Sequence, residues 1–204
     1  EWHPSLNGDL TPNDILAYTG KRVWWKCDKG PDHEWKQTPS VRLSMDTGCP
    51  YCANLAVSVT NSLSVLFPEI AKQWHPSLNG EVLPDQFVSG SGKRVWWKCP
   101  VADDHEWQAL VGSRTGQGVG CPCCAGKRLS VTNRLDTQFP EVAAEWHPTK
   151  NGDLTPADVV AGAHEKVWWK CPVADDHEWQ ASIQSRTQMG RGCACCDGNR
   201  LSVT

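Results

Sequence analysis

Residues 95–124 read VWWKCPVADDHEWQALVGSRTGQGVGCPCC, and the spacing inside this stretch decides the fold. Cys99 is followed by five residues and His105; fifteen more lead to Cys121 and, two beyond that, Cys124. Residues 94–98, rich in Val and Trp, read as a short strand running into Cys99. Residues 105–109 are the returning strand, followed by a Gly-rich turn. Three thiolates and one imidazole then form a closed tetrahedral set of the structural zinc type. The Cys-x2-Cys end bites the metal from one turn, and the hairpin supplies the other two donors.

The same stretch recurs on both sides at a fixed step. VWWKC stands at 23–27, 95–99 and 167–171, and HEW at 33–35, 105–107 and 177–179, each 72 residues apart. The donor sets are Cys27, His33, Cys49 and Cys52; Cys99, His105, Cys121 and Cys124; and Cys171, His177, Cys193 and Cys196. Of the 204 residues, all 12 Trp fall four to a unit, and six of the seven His fall two to a unit, leaving His164. Self-similarity on this scale marks a repeat array. The unit opens after LAVSVT or RLSVT, which predicts repeats at 61–132 and 133–204 and a first repeat, 1–60, without its leading helix. With no initiator Met and a stop where a fourth unit would begin, the sequence reads as an excerpt from a longer array.

Within a unit, Leu63, Leu66, Phe67, Ile70 and Trp74 mark an apolar helical face. Thr60 is placed to cap it, and Pro68 to open a second short helix after a break. A turn at Asn79-Gly80 and a loop through Pro84 and Asp85 then lead to the hairpin. The expected fold class is therefore a tandem array of three small α+β zinc-stabilised units, each a β-hairpin plus short helices. Cores this small need a staple, and a zinc of this kind contributes about 10–16 kcal/mol in finger peptides.

Other uses of the cysteines fit less well. The nine repeated Cys cannot pair within units, and the total of 11 is odd, which argues against a disulfide scaffold. A redox Cys pair wants a βαβ context, absent here, and a catalytic zinc keeps an open position. Cys123 and Cys195, where the first copy has Tyr51, read as free thiols beside the site. His3, His75 and His147 of the WHP motif read as packed, hydrogen-bonded loop residues. Reduced Cys with structural zinc point to a reducing, cytoplasmic compartment. No apolar run approaches the ~18 residues of a membrane span, and no secretory leader is visible.

WHP, NG-[DE]-x-x-P, VWWKC, HEW, an Arg seven residues on and CP-x-C together resemble the "probable zinc-ribbon" family of treble-clef zinc fingers, which occurs in tandem in bacterial, phage and some eukaryotic proteins. The resemblance spans essentially the whole chain. It implies a treble-clef fold, the three ligand sets above and, since some members carry a nuclease domain of the very-short-patch-repair type, nucleic-acid targeting beside an effector elsewhere in the parent chain. The knuckle departs from the family: CDKGPDH or CPVADDH stands here in place of a shorter CP-x-GH.

Comparison of the three copies gives a second route to function. Residues 36–47 and their counterparts read KQTPSVRLSMDT, QALVGSRTGQGV and QASIQSRTQMGR, sharing only Arg42, Arg114 and Arg186. The chain carries a net charge of −3, yet segments 36–65, 108–137 and 180–204 carry +1, +3 and +2. Lys127, Arg128, Arg134, Arg191 and Arg200 fall there. A local basic stripe suffices for phosphate binding. The expectation is that the repeated Arg grips a phosphate while Gln37, Gln108, Gln180 and Gln184 face base edges, with double-stranded DNA as partner. A protein-interaction array is the competing class. No catalytic arrangement repeats or stands out, so no enzymatic activity is expected. The Trp residues serve the core or stack on bases.

Overall fold

Among the described residues six short strands organise the fold: β1 (Val23–Lys26), β2 (Glu34–Gln37), β3 (Arg94–Lys98), β4 (Glu106–Leu110), β5 (Lys166–Lys170) and β6 (Glu178–Ser182). They pair as three two-stranded sheets, β1-β2, β3-β4 and β5-β6. The computed structural model describes residues 1–202; Val203 and Thr204, the end of the expected third repeat, lie outside the described residues. Pairing is antiparallel with Trp25 opposite Trp35 and Trp169 opposite Trp179. The expected strand at 94–98 is observed, and its return begins one residue later than the sequence suggested.

Among the described residues seven short α-helices complete the units: α1 (Pro39–Ser44), α2 (Leu63–Leu66), α3 (Pro68–Ala71), α4 (Val111–Gly116), α5 (Leu135–Gln138), α6 (Pro140–Ala143) and α7 (Ile183–Thr187). A helix therefore follows each hairpin where only a Gly-rich turn was expected. The cause is local in two copies: Thr38 and Ser182 accept hydrogen bonds from the backbone of Val41 and Ser185, capping α1 and α7. Pro68 and Pro140 open α3 and α6 after a break at Phe67 and Phe139, as their fixed φ favours. Thr60 does not cap α2; Ser62 holds that position.

The segment ahead of each hairpin seals its outer edge. Trp2 bridges to Trp25, Trp74 to Trp97 and Trp146 to Trp169. The Asn7 side chain then pairs with both backbone groups of Trp24, accepting from its N–H at 2.8 Å and donating to its carbonyl at 3.0 Å. Asn79 and Asn151 do the same for Trp96 and Trp168. An open strand edge is thereby covered. The following Gly8, Gly80 and Gly152 sit at φ of +62°, +63° and +62°, a conformation side chains resist.

In the third repeat the core joins Leu135, Val159, Val167, Trp169 and Ile183, with Trp146 edge-on to Trp169 at 5.5 Å. Adjacent Trp residues face opposite ways, as alternation requires. Trp97 and Trp169 are fully buried, whereas Trp24 and Trp168 lie under Lys36 and Lys150. The chain divides into two compact units: Glu1–Lys98 with Trp107–Val119, and Cys99–Glu106 with the chain from Gly120 onward. Among the described residues no helix is long and apolar enough to cross a membrane.

Candidate metal centres

The hairpin brings one Cys and one His together at its tip. In the first repeat the Cys27 N–H donates to the His33 carbonyl at 3.0 Å, closing a tight knuckle, and Cys99–His105 and Cys171–His177 repeat it at 2.9 and 3.0 Å. The turn after α1, α4 or α7 delivers the Cys-x2-Cys pair opposite. All twelve expected ligands thus gather as three sets, with the donor atoms of each within 4.8 Å of one another.

The separations fit one ion. Tetrahedral zinc with Zn–S of about 2.3 Å and Zn–N of about 2.0–2.1 Å requires S···S near ~3.8 Å and S···N near ~3.6 Å. Observed values are 3.7 Å for Cys27–Cys52, Cys99–Cys124 and Cys171–Cys196. Cys49, Cys121 and Cys193 stand 3.6 Å from the Nδ1 of their His. The ligating nitrogen is therefore Nδ1 in each case. Three Cys and one His fill the tetrahedron, so these are three zinc-binding sites of the closed, structural kind, one per repeat.

Electrostatics within the sets point the same way. Burial and neighbouring thiols push Cys52 up to about 11 and Cys124 and Cys196 up to about 12. Burial also opposes ionisation of Cys121 and Cys193. There the backbone N–H groups of the two residues closing each Cys-x2-Cys turn outweigh it and lower the thiol. Three crowded thiolates need a cation among them, and a dication supplies it.

Behind each imidazole lies a layer that the sequence reading missed. His33 Nε2 meets Ser58 Oγ at 3.0 Å and Thr60 Oγ1 at 2.9 Å, and Ser58 Oγ donates to Asp32 Oδ1 at 2.7 Å. His105, Ser130, Thr132 and Asp104 repeat this relay, as do His177, Ser202 and Asp176. With Nδ1 on the metal, Nε2 carries the proton and donates outward, so the relay sets tautomer and ring orientation. Asn61 and Asn133 hold the same loop, each accepting from the backbone N–H of the Ser and donating to two carbonyls. The signal was visible as the SVT-Asn string recurring at the repeat step, but it read as a helix cap.

Cys123 is buried against the second site and its thiol is raised by burial, as befits a packed, unreactive thiol. Tyr51 takes that place in the first repeat, stacking on His33 at 5.1 Å and donating to the Glu34 carbonyl. His3 and His147 are packed loop residues, as expected. Their Nδ1 atoms accept two backbone N–H groups each, and their Nε2 atoms face Glu34 and Glu178 at 3.2 and 2.9 Å.

The repeated Arg is used differently from the expectation. Arg114 and Arg186 are only 5 % and 7 % exposed. Each guanidinium lies between two Trp rings, Trp97 and Trp107 or Trp169 and Trp179, at 4.6 to 5.0 Å. Arg42 stacks likewise on Trp25 and Trp35 and pairs with Glu1. Arg114 donates to Gln73 and Arg186 to Glu145. Buried and ring-clamped, Arg114 and Arg186 serve the core rather than a phosphate, and Arg42 takes the same place half-buried.

The other expected contacts divide. Arg128 and Arg200 donate to the Glu106 and Glu178 carbonyls, Arg134 pairs with Asp136, Gln37 donates to Thr47, and Gln184 to Gln188. Lys127, Arg191, Gln108 and Gln180 are exposed. Beside the second strand of the hairpin lies a cleft of about 470 Å³ in the first repeat, lined by Arg22, Lys36, Gln37 and Thr47. Its counterpart in the third, about 530 Å³, is lined by Lys166, Gln180, Ser182, Arg191 and Asn199.

A family model described as a probable treble clef zinc finger domain matches residues 1–55, 70–127 and 142–199. Comparison with curated proteins finds no match.

Proposed function

The chain belongs to the family of probable treble clef zinc finger domains, and from that premise we propose that it is a modular nucleic-acid-binding array whose target is double-stranded DNA. One observation carries the reading. Each zinc-locked hairpin presents an exposed cation at the same place, Arg22, Arg94 and Lys166, beside exposed positions that differ between copies. Those positions are Lys36, Gln108 and Gln180 on the second strand and, in the third repeat, Asn199 on the turn after its Cys-x2-Cys pair. A fixed cation sets register on the phosphates, and the changing neighbours meet base edges. Gln108 and Gln180 suit adenine in the major groove. The repeated cation at 22, 94 and 166 takes the role first assigned to Arg42, Arg114 and Arg186.

The test is selection by the zinc-loaded chain from random DNA and RNA pools at near-physiological salt. An enriched duplex motif with a threefold layout is expected. No enrichment, together with no salt-dependent binding to any pool, would overturn the reading in favour of a protein-interaction array.

A further inference from the structure

Asn133, the buried residue that opens the third repeat, is fastened on two sides. Its side chain belongs to the second zinc centre. There Nδ2 donates at 2.8 Å each to the carbonyls of Arg128 and of Cys123, which lies between the ligands Cys121 and Cys124. Its Oδ1 accepts from the backbone N–H of Ser130, whose hydroxyl meets Nε2 of His105 at 2.7 Å. Its main chain belongs to the third repeat, where its carbonyl accepts from the Ala161 N–H at 2.9 Å. Two residues on, the Leu135 N–H donates to the Val159 carbonyl at 3.0 Å, and the Leu135 side chain is fully buried in the core around Trp169.

The junction before it is built alike. Asn61 Nδ2 donates to the Tyr51 and Ala56 carbonyls at 2.7 and 2.9 Å, with Tyr51 between the ligands Cys49 and Cys52. Ser62 then bridges to Val88, and the Leu63 N–H donates to the Phe87 carbonyl at 2.8 Å. The compact units follow these fastenings rather than the 72-residue step. All four ligands of the second centre, on Cys99–Glu106 and the chain from Gly120, group with Asn133, Leu135 and Val159. Those of the first centre group with Asn61, Leu63 and Phe87.

We infer that the first and second zinc centres each fix the edge of the repeat that follows, with Asn61 and Asn133 carrying the coupling, so that metal occupancy is felt one repeat further along the array. The donor set of such a site is held together by its metal. When the Cys-x2-Cys turn loosens, the carbonyls that the Asn side chain grips move with it. The buried Asn cannot keep its main-chain bonds in place and leave its side chain stranded without cost. The edge pairing at Ala161 and Leu135 therefore weakens with the second centre, and that at Leu63 with the first. Coupling is reciprocal, so a firm edge in the third repeat tightens zinc binding at the second centre.

The experiment compares amide hydrogen exchange in the zinc-loaded full chain and in its Cys121→Ser variant, with bound zinc counted in both. Only the second metal is expected to be lost. The Leu135 and Ala161 amides, which lie in the third repeat, then exchange about tenfold faster or more, while the Cys171 N–H at the third centre keeps its protection. Asn133→Ala at saturating zinc keeps all three metals and speeds the same two amides. Adding Cys121→Ser to it changes them little further, the mark of one shared coupling. In the reverse direction, Leu135→Ala weakens zinc at the second centre, read by competition against a chromophoric chelator. Cys49→Ser repeats the test at the first junction, read at the Leu63 N–H. Unchanged Leu135 and Ala161 protection in Cys121→Ser, full additivity with Asn133→Ala, unchanged zinc affinity in Leu135→Ala, or loss of a metal besides the targeted one would each overturn the inference.

Discussion

The Arg186 guanidinium stands 4.8 Å from the ring centroid of Trp169, and the Trp179 ring lies against it at 5.0 Å. Its Nη2 donates to Glu145 at 2.8 Å, while among the described residues Nε and Nη1 have no hydrogen-bond partner. The two ring faces stabilise the part of the cation that acceptors do not. This clamp joins both strands of the hairpin to the segment ahead of it and to α7, so it holds the repeat together from inside.

Arg186→Ala is therefore expected to destabilise the third repeat by about 3 kcal/mol, from the lost ring contacts and the stranded Glu145. Arg186→Lys recovers only part, since an ammonium cannot lie flat between two rings. Urea unfolding of the zinc-loaded variants measures both. Undiminished stability with weakened DNA binding would return this Arg to the phosphate role.

Metal removal tests the staple. The full chain is expected to bind three zinc equivalents, and a strong chelator to abolish the near-UV CD of its Trp cores. Cys121→Ser leaves two equivalents, because each set is complete within one repeat. Retention of the native near-UV signal after metal is shown to be gone would contradict a structural role.

The relay behind each imidazole makes a finer prediction. Asp104 is held low chiefly by the Val131 N–H, with Ser130 adding to it, and so stays an acceptor that orients Ser130 toward His105. Ser130→Ala or Asp104→Asn should lower zinc affinity at the second site by about 10–100-fold while saturating zinc still fills it. Competition against a chromophoric chelator reads this directly. Unchanged affinity would make the relay a loop fastening only.

How far these features could be read from the sequence depends on what each one needs. The ligand sets and hairpins were legible because donor spacing and the repeat step fix them without knowledge of packing. The role of Arg186 was not. Its partners Trp169, Trp179 and Glu145 lie at three separations along the chain, and only the folded hairpin brings them around one side chain. A residue constant amid variable neighbours looked like a contact with a ligand, but it was constant because the core needs it. Thr60 misled for a similar reason: a Thr ahead of an apolar run is a good cap, yet the imidazole Nε2 of His33 competes for its hydroxyl and wins. The helices after the hairpins escaped notice because their glycines and β-branched residues have low helix propensity. Capping by Thr38 or Ser182 and burial of Ile183 override that preference.

The most direct test of the account is the salt dependence of duplex binding by the zinc-loaded chain, measured between about 50 and 200 mM salt beside the triple variant Arg22→Ala, Arg94→Ala, Lys166→Ala. Log affinity should fall linearly with log salt, and the variant's slope should be shallower by about 2.7, three phosphate contacts at about 0.9 each. Equal slopes for the two proteins, or no binding to duplex by the zinc-loaded chain, would contradict it.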